Sequence, residues 1–345
     1  MIKNILLGCL AILLIIGGSN MANAKSLSNK WDKTFPKSDK VTVQKVEFKN
    51  RFGITLVGDL YAPKDAKGKL SAIAISGPFG AVKEQSSGLY AQTLAERGFI
   101  TLAFDPSYTG ESKGTPRHIA SPDINTEDFS AAVDFLSVQK NVDPDKIGIL
   151  GICGFGGFAI NAAAMDTRIK AATAVTMYDM TRVSAKGYND SVDENARYEM
   201  KQALNKQRTE DFRNGNYKGA DGLPEKLTGN EPQFVKDYWG YYKTKRGFHA
   251  RSINSNGKWN TTSALSLINQ PILQYSDEIR SAVLVVHGEN AHSRYFGEDA
   301  FKKLKGDNKE LFIVKGANHV DLYDGGDKNT IPFDKIESFY KEYLK

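Results

Sequence analysis

Cysteine is scarce in this chain of 345 residues, which has only Cys9 and Cys153. Cys9 lies in an N-terminal segment that we expect to be removed, so Cys153 is the one cysteine expected in the mature protein. A single cysteine excludes an internal disulfide. Histidine is also rare, with five residues, and no Cys/His cluster suited to a metal is present. We therefore expect no metal site and no cofactor.

Long apolar runs are missing except at the start, where residues 5–16 are almost continuously apolar. Lys3 precedes this run, and the small-residue pattern Ala22-Asn23-Ala24 follows it, which is typical of a secretory signal peptide. The run is too short to cross a hydrocarbon core of ~30 Å comfortably. We expect residues 1–24 to be cleaved, and residues 25–345 to be exported, periplasmic or secreted, without stable membrane insertion.

A strong charge of one sign is also absent. Lysine and arginine exceed aspartate and glutamate by 46 − 40 = 6, and the basic residues form no sustained stripe with interleaved aromatics. This pattern argues against a nucleic-acid partner. The sequence does not determine an oligomeric state.

What the sequence does contain is an alternation of short apolar strands and helices. A hairpin-like pair of strands comes first, followed by strand and helix in turn. This order predicts one α/β domain with a mostly parallel central sheet and helices on both faces. We predict strands at 41–48, 54–61, 72–76, 100–104, 147–150, 171–177, 282–286 and 311–314, and helices at 89–97, 126–139, 154–165, 296–304 and 333–344.

The alternation stops at approximately residues 180–278, between the sixth and seventh core strands. This segment is rich in tyrosine, tryptophan, asparagine and lysine. An insertion at the carboxyl edge of a parallel sheet lies where such folds bind ligands. We interpret it as a cap over the active site.

A glycine-rich turn follows the strand at 147–150 and leads into the helix at 154–165, with Cys153 at its centre. Strand, sharp turn and helix are the setting of a nucleophile elbow. The helix N-terminus lowers the pKa of a thiol there and stabilises a developing oxyanion. Phe155 departs from the usual small residue two positions after the nucleophile. The alternative is a structural cysteine in a packing turn.

His319 follows the last predicted strand, where this architecture supplies its general base to the elbow. A surface histidine is the alternative. The oxyanion hole needs two backbone donors, for which we propose the N–H groups of Phe79 and Gly154. Pro78 has no N–H to donate, and a simple Gly-Pro turn is the alternative role of that loop.

The acid that would orient His319 is harder to assign, because the position expected to carry it, the fourth past His287, is Ala291. Asp179, after the preceding strand, is the preferred substitute, and Glu289 is the alternative acid, with Asp321 a weaker third option. The ordinary role for Asp179 is to cap the first helix of the cap. A thiol is already partly ionised at neutral pH and needs less activation than a serine.

The run from the third strand to His319 resembles the dienelactone hydrolase-like branch of the α/β-hydrolase superfamily, many of whose members carry Gly-x-Cys-x-x-Gly-Gly at the elbow. It also resembles bacterial hydrolases, largely without an assigned substrate, that share segments like residues 79–85, 104–112 and 318–324. The resemblance implies an α/β-hydrolase fold, the Cys153/His319 pair and ester-type chemistry. True dienelactone hydrolases carry a glutamate where this chain has Gly77, an acid in place of Ala291, and no large cap.

These observations predict an exported enzyme that hydrolyses a carboxylic ester or thioester of a small acyl substrate through a covalent intermediate on Cys153. An acyltransferase or a peptidase could use the same groups. A ligand-binding protein that has lost catalysis and a redox sensor in which Cys153 is oxidised are the alternatives outside this class.

Overall fold

The computed structural model describes residues 31–345, so the expected signal peptide lies outside the described residues. In this part of the chain, eight strands form one sheet in the order β1-β2-β4-β3-β5-β6-β7-β8. The strands are β1 Val41–Lys49, β2 Thr55–Pro63, β3 Leu70–Ser76, β4 Ile100–Asp105, β5 Val142–Ile152, β6 Ile169–Val175, β7 Ala282–Gly288 and β8 Lys309–Val314.

β1 and β2 form an antiparallel edge, since β1 pairs with β2 and β2 with β4 in antiparallel register. All pairings from β4 through β8 are parallel. The carboxyl ends of the six parallel strands therefore meet at one edge, and the loops that leave this edge build the site.

Among residues 31–345, eleven α-helices cover or extend the sheet: α1 Ser86–Glu96, α2 Pro122–Ser137, α3 Gly154–Met165, α4 Met180–Lys186, α5 Glu194–Asn214, α6 Gln233–Tyr242, α7 Ile253–Asn256, α8 Ala264–Asn269, α9 Arg294–Lys303, α10 Asp321–Asp324 and α11 Phe333–Tyr343. The apolar faces of α2, α3 and α9 pack on one side of the sheet. α1 and α11 pack on the other. The resulting two-sided core explains why β3 to β7 read as almost continuous apolar runs.

The predicted elements are found, with differences at their ends. α2 begins at Pro122, four residues earlier than predicted, because Ser121 caps the helix and Pro122 occupies the first turn, a favoured arrangement. β6 stops at Val175, two residues earlier than predicted. There Thr176 adopts a positive φ of 44°, a conformation that a β-branched residue rarely accepts and that turns the chain out of the sheet.

The long interruption between β6 and β7 contains α4 to α8, and none of its described residues joins the central sheet. The mostly parallel sheet, the helices on both faces and this insertion confirm the predicted α/β-hydrolase fold class. None of the helices within residues 31–345 is both long enough and apolar enough to cross a membrane.

Candidate active site

Cys153 occupies the sharp turn between β5 and α3. Its backbone has φ 57° and ψ −125°, a strained conformation for a residue with a side chain. The turn is held by hydrogen bonds from Cys153 N–H to Val175 O and from Tyr178 N–H to Cys153 O, both 2.9 Å. A Cβ on Gly151 would lie 2.0 Å from a backbone oxygen of Phe155, so the close approach of strand and helix requires glycine there.

The Cys153 thiol is buried, with 6% of the residue exposed. The backbone N–H groups of Phe79 and Gly154 and the hydroxyl of Tyr323 lie next to its sulfur. Burial raises the pKa of the thiol, and these three neighbours act in the opposite direction. The structure thus brings Cys153, Phe79 and Gly154 together, and the sulfur rests on the two N–H groups expected to form the oxyanion hole.

The loop that carries Phe79 is attached to the cap. Asn254 Nδ2 donates to Phe79 O at 2.7 Å, and Ser252 Oγ donates to Gly80 O at 2.9 Å. The Phe79 ring stacks on Trp259 with centroids 4.3 Å apart. The position of the Phe79 N–H therefore depends on residues that follow α6 in the cap.

A buried cluster of ion pairs follows Phe79 in the same loop and holds the loop in place. Lys83 is fully buried and its ammonium contacts the carboxylates of Glu84, Asp105 and Glu111. Asp105 Oδ1 also accepts from the backbone N–H of Lys83 at 2.8 Å, and its Oδ2 accepts from that of Glu111 at 2.8 Å. Asp105, at the end of β4, thereby ties this loop to its neighbour.

His319 follows β8 and is 1% exposed. Its Nδ1 lies 2.5 Å from Ser293 Oγ and 3.0 Å from Thr176 Oγ1, and its Nε2 lies 3.0 Å from the Tyr323 hydroxyl. Burial and the neighbouring His292 and His287 hold the pKa of His319 well below 6.5. The imidazole is therefore neutral at physiological pH.

The three candidate acids lie elsewhere. Asp179 Oδ1 accepts from the N–H groups of Thr181 and Arg182 and from the Thr181 hydroxyl, so it caps α4. Its carboxylate makes no hydrogen bond to His319, and the expected orienting role is corrected to that of a cap. Glu289 is exposed and accepts from Gly316 N–H. Asp321 accepts from Asn318 N–H.

Three hydroxyl residues that the sequence did not single out surround His319: Thr176, Ser293 and Tyr323. Thr176 follows β6, Ser293 comes two residues after the position expected to carry the acid, and Tyr323 comes one helical turn after His319. The i, i+4 spacing of His319 and Tyr323 is the one signal that could have linked two of them. Serine and threonine after a strand are too common to identify a partner of histidine.

A cavity of about 280 Å³ opens next to the Cys153 sulfur. None of its lining residues is charged. They come from the loop that carries Phe79, here called the oxyanion loop, from the turn at Cys153, from the segment between β6 and α4, from the cap and from α10. They are Phe79, Cys153, Tyr178, Met180, Val183, Leu223, Tyr238, Tyr242, Asn254 and Tyr323. The cavity is thus suited to an apolar or aromatic group of modest size.

A second histidine lies behind one wall of this cavity. His292 Nε2 is 2.5 Å from the Tyr178 hydroxyl and 3.4 Å from the Tyr238 hydroxyl. Burial lowers the pKa of His292 to about 4, so it is a neutral partner. Within residues 31–345, no group of His, Cys, Asp and Glu side chains is arranged to hold a metal ion.

Comparison with solved structures identifies the fold. The α/β hydrolase GrgF from a Penicillium species superimposes with a TM-score of 0.73 at 21% identity, over 88% of this chain and 99% of that one. The crystal structure of PA2218 from Pseudomonas aeruginosa superimposes with a TM-score of 0.88 at 56% identity, over 92% of this chain and 98% of that one.

Two sequence relatives add to this picture. The uncharacterised protein PA2218 is 57% identical over 330 residues, which are 95% of this chain and 87% of the relative. Thiohydrolase aneE of Aspergillus aculeatus is 37% identical over 133 residues, which are 39% of this chain and 41% of that enzyme. The dienelactone hydrolase-like branch stays a prediction, as none of these proteins belongs to it by name.

The family model described as X-Pro dipeptidyl-peptidase (S15 family) matches residues 53–321. The matched segment begins before β2 and ends after His319, so it includes the elbow, the cap and the histidine loop. The chain is therefore a hydrolase of the α/β fold and belongs to the S15 family.

Proposed function

We propose that this protein hydrolyses carboxylic esters or thioesters of apolar acyl groups, with Cys153 as the nucleophile and His319 as the general base. The observation that carries the proposal is the setting of the Cys153 sulfur. It lies at a strained turn, contacts two backbone N–H donors and borders an uncharged cavity. Strain, paired donors and an adjoining cavity for the acyl group are the features that nucleophilic acyl transfer requires.

The use of sulfur departs from the family, because S15 peptidases use a serine. The elbow of this chain offers only Cys153 as a nucleophile, and the residues on either side are Ile152 and Gly154. A thiolate attacks thioesters and activated esters readily without a strongly basic histidine. This fits the neutral, weakly basic His319 better than it fits cleavage of an amide.

The cavity also argues against release of dipeptides. A dipeptidyl-peptidase binds a protonated α-amino group, and an ammonium ion in a buried site needs a carboxylate partner. The residues that line the cavity include no carboxylate. A neutral acyl chain needs no such partner, and the aromatic walls formed by Tyr178, Tyr238 and Tyr242 favour it.

The thioester part of the proposal draws on a relative. That relative, aneE, is named a thiohydrolase and shares 37% identity with part of this chain. A second candidate function, transfer of the acyl group to an acceptor other than water, is favoured by polyketide transferase claH of Penicillium crustosum, which is 36% identical over 36% of this chain. Both reactions pass through the same acyl-cysteine and differ only in the acceptor.

The reaction follows from the contacts of the site. The Cys153 sulfur leaves its two N–H donors and attacks the carbonyl carbon, and the carbonyl oxygen takes over the hydrogen bonds from Phe79 and Gly154 as it becomes negative. His319 takes the thiol proton in this step and then returns it to the leaving group. Water then adds to the acyl-cysteine with His319 again as base, and the acid product departs.

The test is intact-mass spectrometry of the purified protein after brief exposure to p-nitrophenyl esters and acyl thioesters of graded chain length. Wild type is expected to gain an acyl mass that maps to Cys153 and to release product. Cys153→Ala is expected to do neither. His319→Ala is expected to acylate at least 100-fold more slowly, since general base catalysis contributes about 10²–10⁴-fold.

One further variant tests the choice of sulfur. Cys153→Ser keeps the geometry but gives His319 a far less acidic group to deprotonate, so it is expected to lose activity. If Cys153→Ser turned over the panel as well as wild type, the argument for sulfur would fail. Turnover in Cys153→Ala would overturn the nucleophile assignment itself.

A further inference from the structure

Arg246 lies in the cap, between α6 and α7, and its guanidinium contacts the loop that follows β8. Its Nε donates to Asp324 Oδ2 and its Nη2 donates to Asp324 Oδ1, both at 2.7 Å. Nη2 also donates to the carbonyl oxygen of Val320, the residue after His319, at 3.3 Å. One side chain of the cap thus contacts both ends of α10, directly after His319.

The pair formed by Arg246 and Asp324 has a fixed geometry. Two parallel hydrogen bonds between a guanidinium and a carboxylate set orientation as well as distance, which a lysine ammonium cannot do. The two side chains are 32% and 24% exposed. The guanidinium also lies over the Tyr241 ring, 5.6 Å from its centroid, and this ring packs against that of Tyr323 with centroids 5.1 Å apart. Arg246 is therefore held from its own side as well.

The cap residues that follow contact the oxyanion loop. The Gly247 carbonyl oxygen accepts a hydrogen bond from Gln85 Nε2, and Asn254 Nδ2 donates to Phe79 O. In the sheet, β3 and β8, from which the two catalytic loops leave, are separated by β5, β6 and β7. The cap segment 246–254 thus joins the loop of the general base directly to the loop of the oxyanion donor.

We propose that Arg246 is a positioning residue that holds His319 in register with the oxyanion hole. In acyl transfer the imidazole and the Phe79 N–H act on one reacting centre, the first by proton transfer and the second at the carbonyl oxygen. Their separation must be fixed, since a misplacement of about 1 Å costs about 10²-fold in rate. Binding of the acyl group in the cavity depends less on this separation. The inference rests on the proposed function, in which His319 is the general base.

The first measurement is steady-state kinetics on an ester that the wild type hydrolyses. Arg246→Ala is expected to lower kcat about tenfold or more and to leave KM within about threefold. Arg246→Lys keeps the charge but not the paired hydrogen bonds, so it is expected to recover only a small part of the loss. Asp324→Asn is expected to lower kcat as well, and the double variant to be no worse than Arg246→Ala, because the two residues act as one unit.

Free guanidinium separates positioning from a general loss of structure. At roughly 20 mM it is expected to bind Asp324 in Arg246→Ala and to raise kcat of that variant several-fold, while sodium chloride at the same concentration does not. Because guanidinium weakens folded proteins, a variant that had lost only stability would lose activity instead. A fall in kcat without this rescue would identify a structural role and overturn the proposal.

Amide hydrogen exchange, followed by mass spectrometry of peptides, tests the same contact without a substrate. Arg246→Ala is expected to speed exchange about fivefold or more in residues 315–325 and to leave α11 unchanged. Arg97→Ala is the matched control, because the Arg97 side chain is 28% exposed and also pairs with two carboxylates, Asp334 and Glu337. This control is expected to leave kcat and the exchange of residues 315–325 unchanged.

Unchanged exchange of residues 315–325 in Arg246→Ala, or a kinetic effect confined to KM, would overturn the positioning role. Should Arg246→Ala not fold, Arg246→Lys takes its place in the kinetic and exchange measurements. If the wild type hydrolyses no ester or thioester, the proposed function fails, whereas hydrogen exchange judges the support by Arg246 alone.

Discussion

At the scale of single residues, the site differs from a Ser-His-Asp triad at the position that orients the base. His319 Nδ1 contacts two hydroxyls, those of Ser293 and Thr176, where a triad has a carboxylate. A hydroxyl fixes the tautomer but does not stabilise the imidazolium as an anion would. The base is therefore weak, which suits a thiol.

Asp179→Asn distinguishes a cap from an orienting acid. Since Asp179 caps α4, the substitution is expected to cost about 1 kcal/mol or less of stability and to leave kcat/KM within about threefold. An acid that orients the base would instead cost about 10⁴-fold in kcat. Urea unfolding and steady-state kinetics measure the two effects separately, and Glu289→Gln serves as a second carboxylate control.

The pH dependence of kcat/KM follows from the pKa shifts of Cys153 and His319. The base acts only when neutral, and its pKa lies well below 6.5, so activity is expected to persist into acid and to fall only well below pH 6.5. The raised pKa of the thiol places the alkaline limit above 9. A profile centred narrowly between pH 6.5 and 9 would contradict this assignment.

Ser293→Asp tests the role of the hydroxyl by supplying the missing charge. A carboxylate at Nδ1 favours the imidazolium, so the acid limit of the kcat/KM profile is expected to move up by about one pH unit or more. Ser293→Asn has the same shape without the charge and is expected to leave the limit in place. Equal pH profiles of kcat/KM for the two variants would show that a charge at position 293 does not change the pKa of His319.

At the scale of elements, the cap supports the oxyanion loop as well as enclosing the cavity. Asn254→Ala removes the hydrogen bond to Phe79 O, and Trp259→Ala removes the ring stacked on Phe79. Each is expected to lower kcat about tenfold, because a donor displaced by a fraction of an ångström stabilises the oxyanion poorly. Phe212→Ala, on the exposed face of α5, is the control within the cap and is expected to leave kcat unchanged.

Much of the fold could be predicted because its signals are local. Apolar runs separated by turns predicted β3 to β8, and the glycine-rich turn after β5 singled out Cys153. Apart from Tyr323, which lies four residues after His319 in α10, the partners of His319 could not be predicted, since Thr176 follows β6 and Ser293 follows β7. Only the packing of β6, β7 and β8 side by side brings these hydroxyls to one imidazole.

At the scale of the whole molecule, buried histidines make stability depend on pH. Burial lowers the pKa of His287 to about 3 and of His292 to about 4, and that of His319 also lies well below 6.5. Below pH 6.5 the unfolded chain takes up protons that the folded protein does not, so stability falls as pH falls. Each such histidine costs up to about 2 kcal/mol at pH 5.

Urea unfolding between pH 7 and 5 measures this effect as the slope of unfolding free energy against pH. His287→Gln removes one of the titrating groups, which also include His118, His249 and Asp128, and is expected to reduce the slope by up to about 1.4 kcal/mol per pH unit, whatever it does to stability at pH 7. An unchanged slope would mean that His287 titrates alike in the folded and unfolded states.

The resting position of the Cys153 sulfur also bears on how long the protein survives in air. Peroxide and oxygen attack thiolates and hardly touch neutral thiols. With its proton retained, its surface covered and its lone pairs facing the Phe79 and Gly154 N–H groups, this sulfur is stored in an unreactive form until an acyl group displaces it. Resistance to oxidation thus follows from the same burial that raises the pKa of the nucleophile.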